Sequence, residues 1–150
     1  MTPKANNTAG LAAIKRGNDT QAESYFRAAL RVQPDLAEAQ HNLATLLAGR
    51  RAYQEAAYHF EKAIRSDPSY LDARHSYGLV LALMQSYARA VGELEAAVRL
   101  APERAGVRVD LADVLATLGR VDDARREYTA ALRLDPANQE ARAGLAALQR

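Results

Sequence analysis

The sequence predicts an all-α fold, an α-solenoid of four helix-turn-helix units followed by a ninth, closing helix. Three observations carry this prediction. Pro34, Pro68, Pro102 and Pro136 recur at an interval of 34 residues, and Pro3 falls close to the same phase; a fixed period of this length is the mark of a repeat architecture. With only 8 Gly and 5 Pro in 150 residues, the chain lacks the turn residues of an all-β fold. The apolar share of 49% is led by 33 Ala, with 2 Phe and no Trp, so the core is expected to be made of close helix contacts rather than large side chains.

Setting each proline at position 32 divides the chain into units 3–36, 37–70, 71–104 and 105–138, with 139–150 as the start of a fifth, and residues 1–150 as one domain. In the first half of each unit, Leu43, Ala44 and Leu47, like Leu111, Ala112 and Leu115, follow the stripe of an amphipathic helix. The second half repeats the pattern with Ala56, Phe60, Ala63 and Ile64 on one face. Columns then align: position 8 is Gly10, Ala44, Gly78, Ala112; position 20 is Ala22, Ala56, Ala90, Ala124; position 24 is Phe26, Phe60, Leu94, Tyr128; position 27 is Ala29, Ala63, Ala97, Ala131. Small residues at positions 8 and 20 let two helices approach, and position 24 fills the gap beyond. The proline ends the second helix or opens the next, since it lacks an N–H and restricts the residue before it. Asp19 and Ser86 are expected as N-caps of second helices. In 139–150, Leu145 and Leu148 are expected to cover the last unit, leaving Glu140, Gln149 and Arg150 in water. Eight full helices and this cap, each of about 12–15 residues, would each be roughly 20 Å long.

Composition removes several function classes. Zero Cys excludes a disulfide scaffold, a thiolate zinc site and a cysteine nucleophile. No run approaches the roughly 20 apolar residues of a membrane span, and the polar start Met1-Thr2-Pro3-Lys4 lacks a signal peptide's apolar core, so a soluble, cytoplasmic protein is expected. No phosphate-binding glycine loop, nucleophile elbow or HExxH is present, and the serines are scattered, so catalysis and a small-molecule substrate are not expected, nor is a cofactor.

The 34-residue unit with Leu-Gly/Ala, Ala, aromatic, Ala and Pro at these offsets resembles the tetratricopeptide repeat family. Segments such as Ala37-Glu38-Ala39-Gln40-His41-Asn42-Leu43-Ala44 and Leu134-Asp135-Pro136-Ala137-Asn138 are similar to its ordinary members, and the likeness covers residues 3–150. Position 4, often aromatic in the family, is polar here: Asn6, Gln40, Arg74 and Arg108. Unit 1 departs furthest, with Asn6, Ala9 and Ala13 at usually apolar positions, as a terminal helix with no neighbour to cover would allow.

The resemblance implies a right-handed superhelix whose first helices line a concave, peptide-binding face, with positions 2, 5, 6, 9, 12 and 13 pointing inward. Carried onto this sequence, the binding residues are Glu38, His41, Asn42 and Thr45 in unit 2, Asp72, His75, Ser76 and Leu79 in unit 3, and Asp110 and Asp113 in unit 4, with Leu11, Ile14 and Leu83 adding apolar contact. Units 2 to 4 thereby offer four carboxylates and no Lys or Arg, although the chain as a whole is +2. An adaptor or scaffold taking a basic or polar peptide is the expected function. Acids near a helix start also favour the macrodipole, which accounts for Glu38 and Asp72 but not for mid-helix Asp113. The carboxylate grip of some family members is not expected, because only Asn42 matches its pattern.

Three further features of the sequence bear on metal, nucleic-acid and self-association roles. Glu38 and Asp72 each stand three residues before a histidine, His41 and His75, on one helix face, but without Cys or further His nearby no metal is expected. Arg74, Arg108 and Arg142, with Arg125 and Arg126, suggest a phosphate-tracking ladder, yet near-neutral charge and neighbours such as Asp122 and Asp123 argue for a salt-bridged surface, so nucleic acid is not expected. Self-association through exposed ends, giving a homo-oligomer, is the alternative to a partner-binding groove.

Overall fold

The computed structural model describes all residues 1–150, and they form nine α-helices: α1 Pro3–Lys15, α2 Asp19–Val32, α3 Ala37–Gly49, α4 Tyr53–Ser66, α5 Leu71–Leu83, α6 Tyr87–Leu100, α7 Ala105–Thr117, α8 Val121–Leu134 and α9 Gln139–Ala147. There is no strand. Contacts gather into two compact units, Met1–Ser76 and Tyr77–Arg150, with the division falling inside α5. No helix is long and apolar enough to cross a membrane.

Helices α1 to α8 run 13 or 14 residues each, as expected, whereas α9 stops after 9. Second helices end because the residue before each proline is forced out of the helical region: Gln33, Asp67, Ala101 and Asp135 all have φ between −132° and −141° with ψ of 76–93°. At two of these turns the aspartate also accepts backbone N–H bonds, Asp67 from Ser69 at 3.0 Å and Asp135 from Ala137 at 3.2 Å. Pro3 sits at the start of α1, where its missing N–H costs nothing.

One of the two N-cap expectations needs correction. Asn18, one residue earlier than Asp19, caps α2 by accepting from the Gln21 N–H at 3.1 Å. Ser86 occupies the N-cap of α6 without a side-chain bond. Side-chain caps stand instead at Thr2, which accepts from Ala5 at 3.0 Å, and Asn138, which accepts from Ala141 at 2.8 Å.

Within the Met1–Ser76 unit, α1 packs on α2, α3 on α4, and α2 on α3. Its core holds Phe26, Phe60, Leu43 and the alanines Ala22, Ala29, Ala56 and Ala63. A Cβ on Gly10 would fall 2.4 Å from the Phe26 ring, so glycine is what allows α1 and α2 this close an approach. Asn6 and Asn7 of the first helix are buried. Asn7 accepts from the Asn42 amide of α3 at 2.9 Å, which satisfies both groups away from water.

Within the Tyr77–Arg150 unit, α6 packs on α7, α7 on α8, and α9 on both α7 and α8. Ala90, Leu94, Ala97, Ala124, Tyr128 and Ala131 are its share of the repeating columns, each at most 3% exposed. Gly78 repeats the Gly10 device against Leu94, with a Cβ 2.6 Å from its Cγ. Ala141 of α9 is fully buried and Gly144 lies against the Tyr128 ring, while Leu145 and Leu148, expected to cover the last unit, are half-buried.

Candidate functional site

In the Met1–Ser76 unit, Leu11 and Ile14 of α1, Phe26 of α2 and Asn42, Thr45 and Gly49 of α3 line a hollow of about 350 Å³, with Asp19, Leu46 and Arg50 at its margin. The residues expected to face inward therefore do meet here, and the leucine and isoleucine are 42% and 37% exposed. Phe26, Leu46 and Arg50 are not among the residues expected to face inward: Phe26 and Leu46 are buried packing residues beneath the hollow, and Arg50 is the exposed residue just after α3. Thr45 spends its hydroxyl on the His41 carbonyl at 2.9 Å.

Glu38 borders a separate recess of about 360 Å³ with Lys4, Leu36, Ala37, Asp67 and Tyr70, so here a lysine faces the carboxylates. His41 is half-buried, its ring 5.0 Å from that of Tyr70 and 5.7 Å from that of Phe60, and its Nδ1 is buried without a hydrogen-bond partner. Burial lowers its pKa below the usual imidazole value, against a smaller upward pull from Asp72. Its ring is thus held beside the Phe60 and Tyr70 rings. Asp72 is exposed, and His75 and Ser76 are half-buried. No three His, Asp or Glu side chains converge as a metal site would require.

In the Tyr77–Arg150 unit, Leu79, Ala82 and Leu83 of α5, Tyr87 of α6, and Asp110, Asp113, Val114 and Thr117 of α7 line a hollow of about 420 Å³. Leu79 and Leu83 are 37% and 61% exposed, a large apolar surface held open to solvent. Two carboxylates stand on its rim one helical turn apart. Tyr128, 3% exposed, donates its hydroxyl to Asp113 Oδ1. Burial raises the Asp113 pKa, the Tyr128 bond lowers it, and the charge of Asp110 raises it again. The same burial and bond push the Tyr128 phenol upward. Tyr87 and Val114 were not among the expected binding residues; as the first residue of α6 and an inner-face residue of α7, they had no column to mark them.

Three of the four polar residues at position 4 have a shared task. Gln40 Nε2 donates to the Pro34 carbonyl at 2.7 Å, Arg74 Nε to Pro68 at 2.7 Å and Arg108 Nε to Pro102 at 2.9 Å. Each clips the turn that leads into its own helix. Arg108 is also paired with Glu127 at 2.8 Å. Two rungs of the suggested phosphate ladder are thus spent on backbone carbonyls, and Arg125 and Arg126 are paired with Asp122 and Asp123. His59 is buried: its Nδ1 lies 2.6 Å from Gln40 Oε1, and since Gln40 Nε2 already donates to Pro34, the imidazole Nδ1 must carry the proton.

The comparisons with known proteins say to which class this helix-pair array with its open hollows belongs. The tetratricopeptide repeat family matches residues 7–70 and again residues 81–148, so the chain belongs to that family, a protein-protein interaction fold. No curated protein matches. Among solved structures, a fragment of MamA from Desulfovibrio magneticus RS-1 is 23% identical, with a TM-score of 0.90 over 98% of this chain and 83% of that one. YrrB, described as a tetratricopeptide repeat protein with an unusual peptide-binding site, is 22% identical with a TM-score of 0.89 over 95% and 74%. The pilF protein of Pseudomonas aeruginosa is 28% identical, with a TM-score of 0.84 over 97% and 67%. The all-α solenoid fold class is thereby shown.

Proposed function

We propose that this protein is a non-catalytic adaptor or scaffold that captures a protein segment carrying a large apolar side chain beside a lysine or arginine. The observation that carries the reading is the hollow of Leu79, Leu83, Tyr87 and Val114, with Asp110 and Asp113 on its rim. Its floor gains by burying an apolar group. Its carboxylates favour a cation at the edge, where desolvation is small and steering is strong. Asp113, fixed by Tyr128, is already positioned for that cation, so little side-chain entropy is lost on binding.

In the Met1–Ser76 unit, Leu11, Ile14, Asn42 and Thr45 offer a hollow of the same kind, while Glu38, His41, Asp72, His75 and Ser76 supply polar contacts. The peptide-binding site named for YrrB supports reading the hollows as peptide sites. The same reading takes residues 1–150 as one domain, with units 3–36, 37–70, 71–104 and 105–138 and a cap at 139–150.

A pull-down from the native source with wild-type chain and with an Asp110→Lys, Asp113→Lys variant tests the site. Capture by the wild type and loss in the variant, with unchanged helical circular dichroism, is expected; equal capture by both would overturn it.

A further inference from the structure

A second recess lies on the other side of α3. Asn42, Thr45 and Gly49 face the first unit's hollow, whereas Gln40 and Leu43, roughly half a turn round the helix, line a recess of about 310 Å³ between α2 and α4. Its apolar floor is Leu30 and Pro34 over the fully buried Leu43, and Tyr58, 53% exposed, forms one wall.

The polar groups of this recess fall into two sets. Gln40 and His59 are buried and committed to one another and to the Pro34 carbonyl. Arg27 is held between Glu23 at 2.8 Å and Glu55 at 2.7 Å, so its charge is compensated. Arg31 and Lys62 have no carboxylate within 4.0 Å; Lys62 Nζ lies 4.8 Å from the Tyr58 ring centroid, and Arg31 is exposed one helical turn beyond Arg27. The recess thus presents two uncompensated cations and an aromatic face above an apolar floor, with no carboxylate in its lining.

We propose that this recess is a second interaction surface, specific for an acidic protein segment that places an apolar side chain on Leu30 and Pro34 and flanking carboxylates on Arg31 and Lys62. Charge complementarity selects the occupant: the floor favours an apolar group, and the only charges left to satisfy are positive. A nucleic-acid strand fits less well. It needs cations spaced along a backbone, and here only Arg31 and Lys62 are left uncompensated, on either side of an apolar floor that suits a side chain better than a phosphate. The recess is opposite in sign to the Asp110 and Asp113 hollow, which would let one chain hold two chemically different partners.

The test is an amide NMR titration of the full chain with a blocked hexapeptide alternating Asp with Leu and Phe, alongside a single-stranded oligonucleotide of equal charge. The peptide is expected to shift amides of residues 27–34 and 58–62, and an Arg31→Glu, Lys62→Glu variant to bind it about tenfold more weakly or worse. An Arg31→Gln, Lys62→Gln variant, gentler on the fold, should show an intermediate loss. Two new lysines at the other hollow would draw the acidic peptide there, so the Asp110→Lys, Asp113→Lys variant is read by location: the shifts in α2 and α4 should persist in it, whatever is gained at residues 110–117. Absence of shifts at 27–34 and 58–62, undiminished binding by the Arg31 and Lys62 variants, or tighter binding of the oligonucleotide at these residues would each overturn the proposal.

Discussion

The Tyr128 hydroxyl donates to Asp113 while the same ring lies against Gly144 of α9, where a Cβ would stand 2.3 Å from its Cζ. A carboxylate on the proposed binding rim is thus tied to the last helix through one tyrosine. Gly144→Ala must push a ring that its own hydrogen bond holds in place, and should destabilise by about 1–3 kcal/mol despite the better helix propensity of alanine. Gly10→Ala, against Phe26, should do the same. Gly92→Ala, with nothing within 4 Å, should instead stabilise by about 0.5–1 kcal/mol. Urea unfolding of the three variants checks the contrast in sign.

Position 15 of each unit adopts a left-handed conformation, with φ of 73° at Gly17, 64° at Arg51, 61° at Gln85 and 76° at Gly119. Two of the four positions therefore carry a side chain where glycine is the unstrained choice. Arg51→Gly and Gln85→Gly should each stabilise by about 0.5–1 kcal/mol, net of the extra freedom of the unfolded chain. Thermal melts at a single protein concentration measure it.

Acid should destabilise the fold through two histidines. Burial holds the folded-state pKa of His41 and His59 below 6.5, so the unfolded chain binds more protons below that pH. Their stabilisation is full above 6.5 and is lost as pH falls through the folded values. Glu23, held low by its bonds to Arg27 and Arg50, adds a further loss below 4.5. Asp113 works the other way, because its raised pKa makes the folded state the better proton binder just above 3.8. His41→Phe removes the unpartnered Nδ1 and should stabilise by about 1 kcal/mol while flattening the profile near neutrality. Urea midpoints measured on both sides of pH 6.5 decide this.

Arg108 bridges the Pro102 carbonyl and Glu127 with only 19% of its side chain exposed. Arg108→Ala should cost about 1–3 kcal/mol, whereas Arg125→Ala, on an exposed pair with Asp122, should stay within about 0.5 kcal/mol. Chemical denaturation of the two variants separates a turn clip from a surface ion pair.

What the sequence disclosed and what it concealed divide by the range of the interaction. The alanine columns were legible because every member meets the same neighbour in every unit, and all eight at positions 20 and 27 are 0% exposed. The convergence of Leu79, Leu83, Asp110 and Asp113 on one hollow followed from the family's inward positions. Position 4 was legible as polar but not as a clip, since a bond to a carbonyl six residues back depends on the turn geometry. Position 15 left no composition signal, as Gly, Arg, Gln and Gly share only a backbone angle. The roles of Tyr128 and His59 were hidden for a similar reason: each joins residues 15 or more apart in sequence, Tyr128 to Asp113 and His59 to Gln40.

The central claim, that the Asp110 and Asp113 rim selects a basic, apolar-bearing segment, is tested most directly by calorimetric titration with two peptides matched in length and in Leu content, one Lys-bearing and one Glu-bearing, at low and high salt. The account predicts that the Lys peptide binds more tightly, that its advantage shrinks with added salt, and that Asp110→Lys with Asp113→Lys reverses the preference. Equal binding of the two peptides, indifferent to salt and to the double substitution, would contradict it.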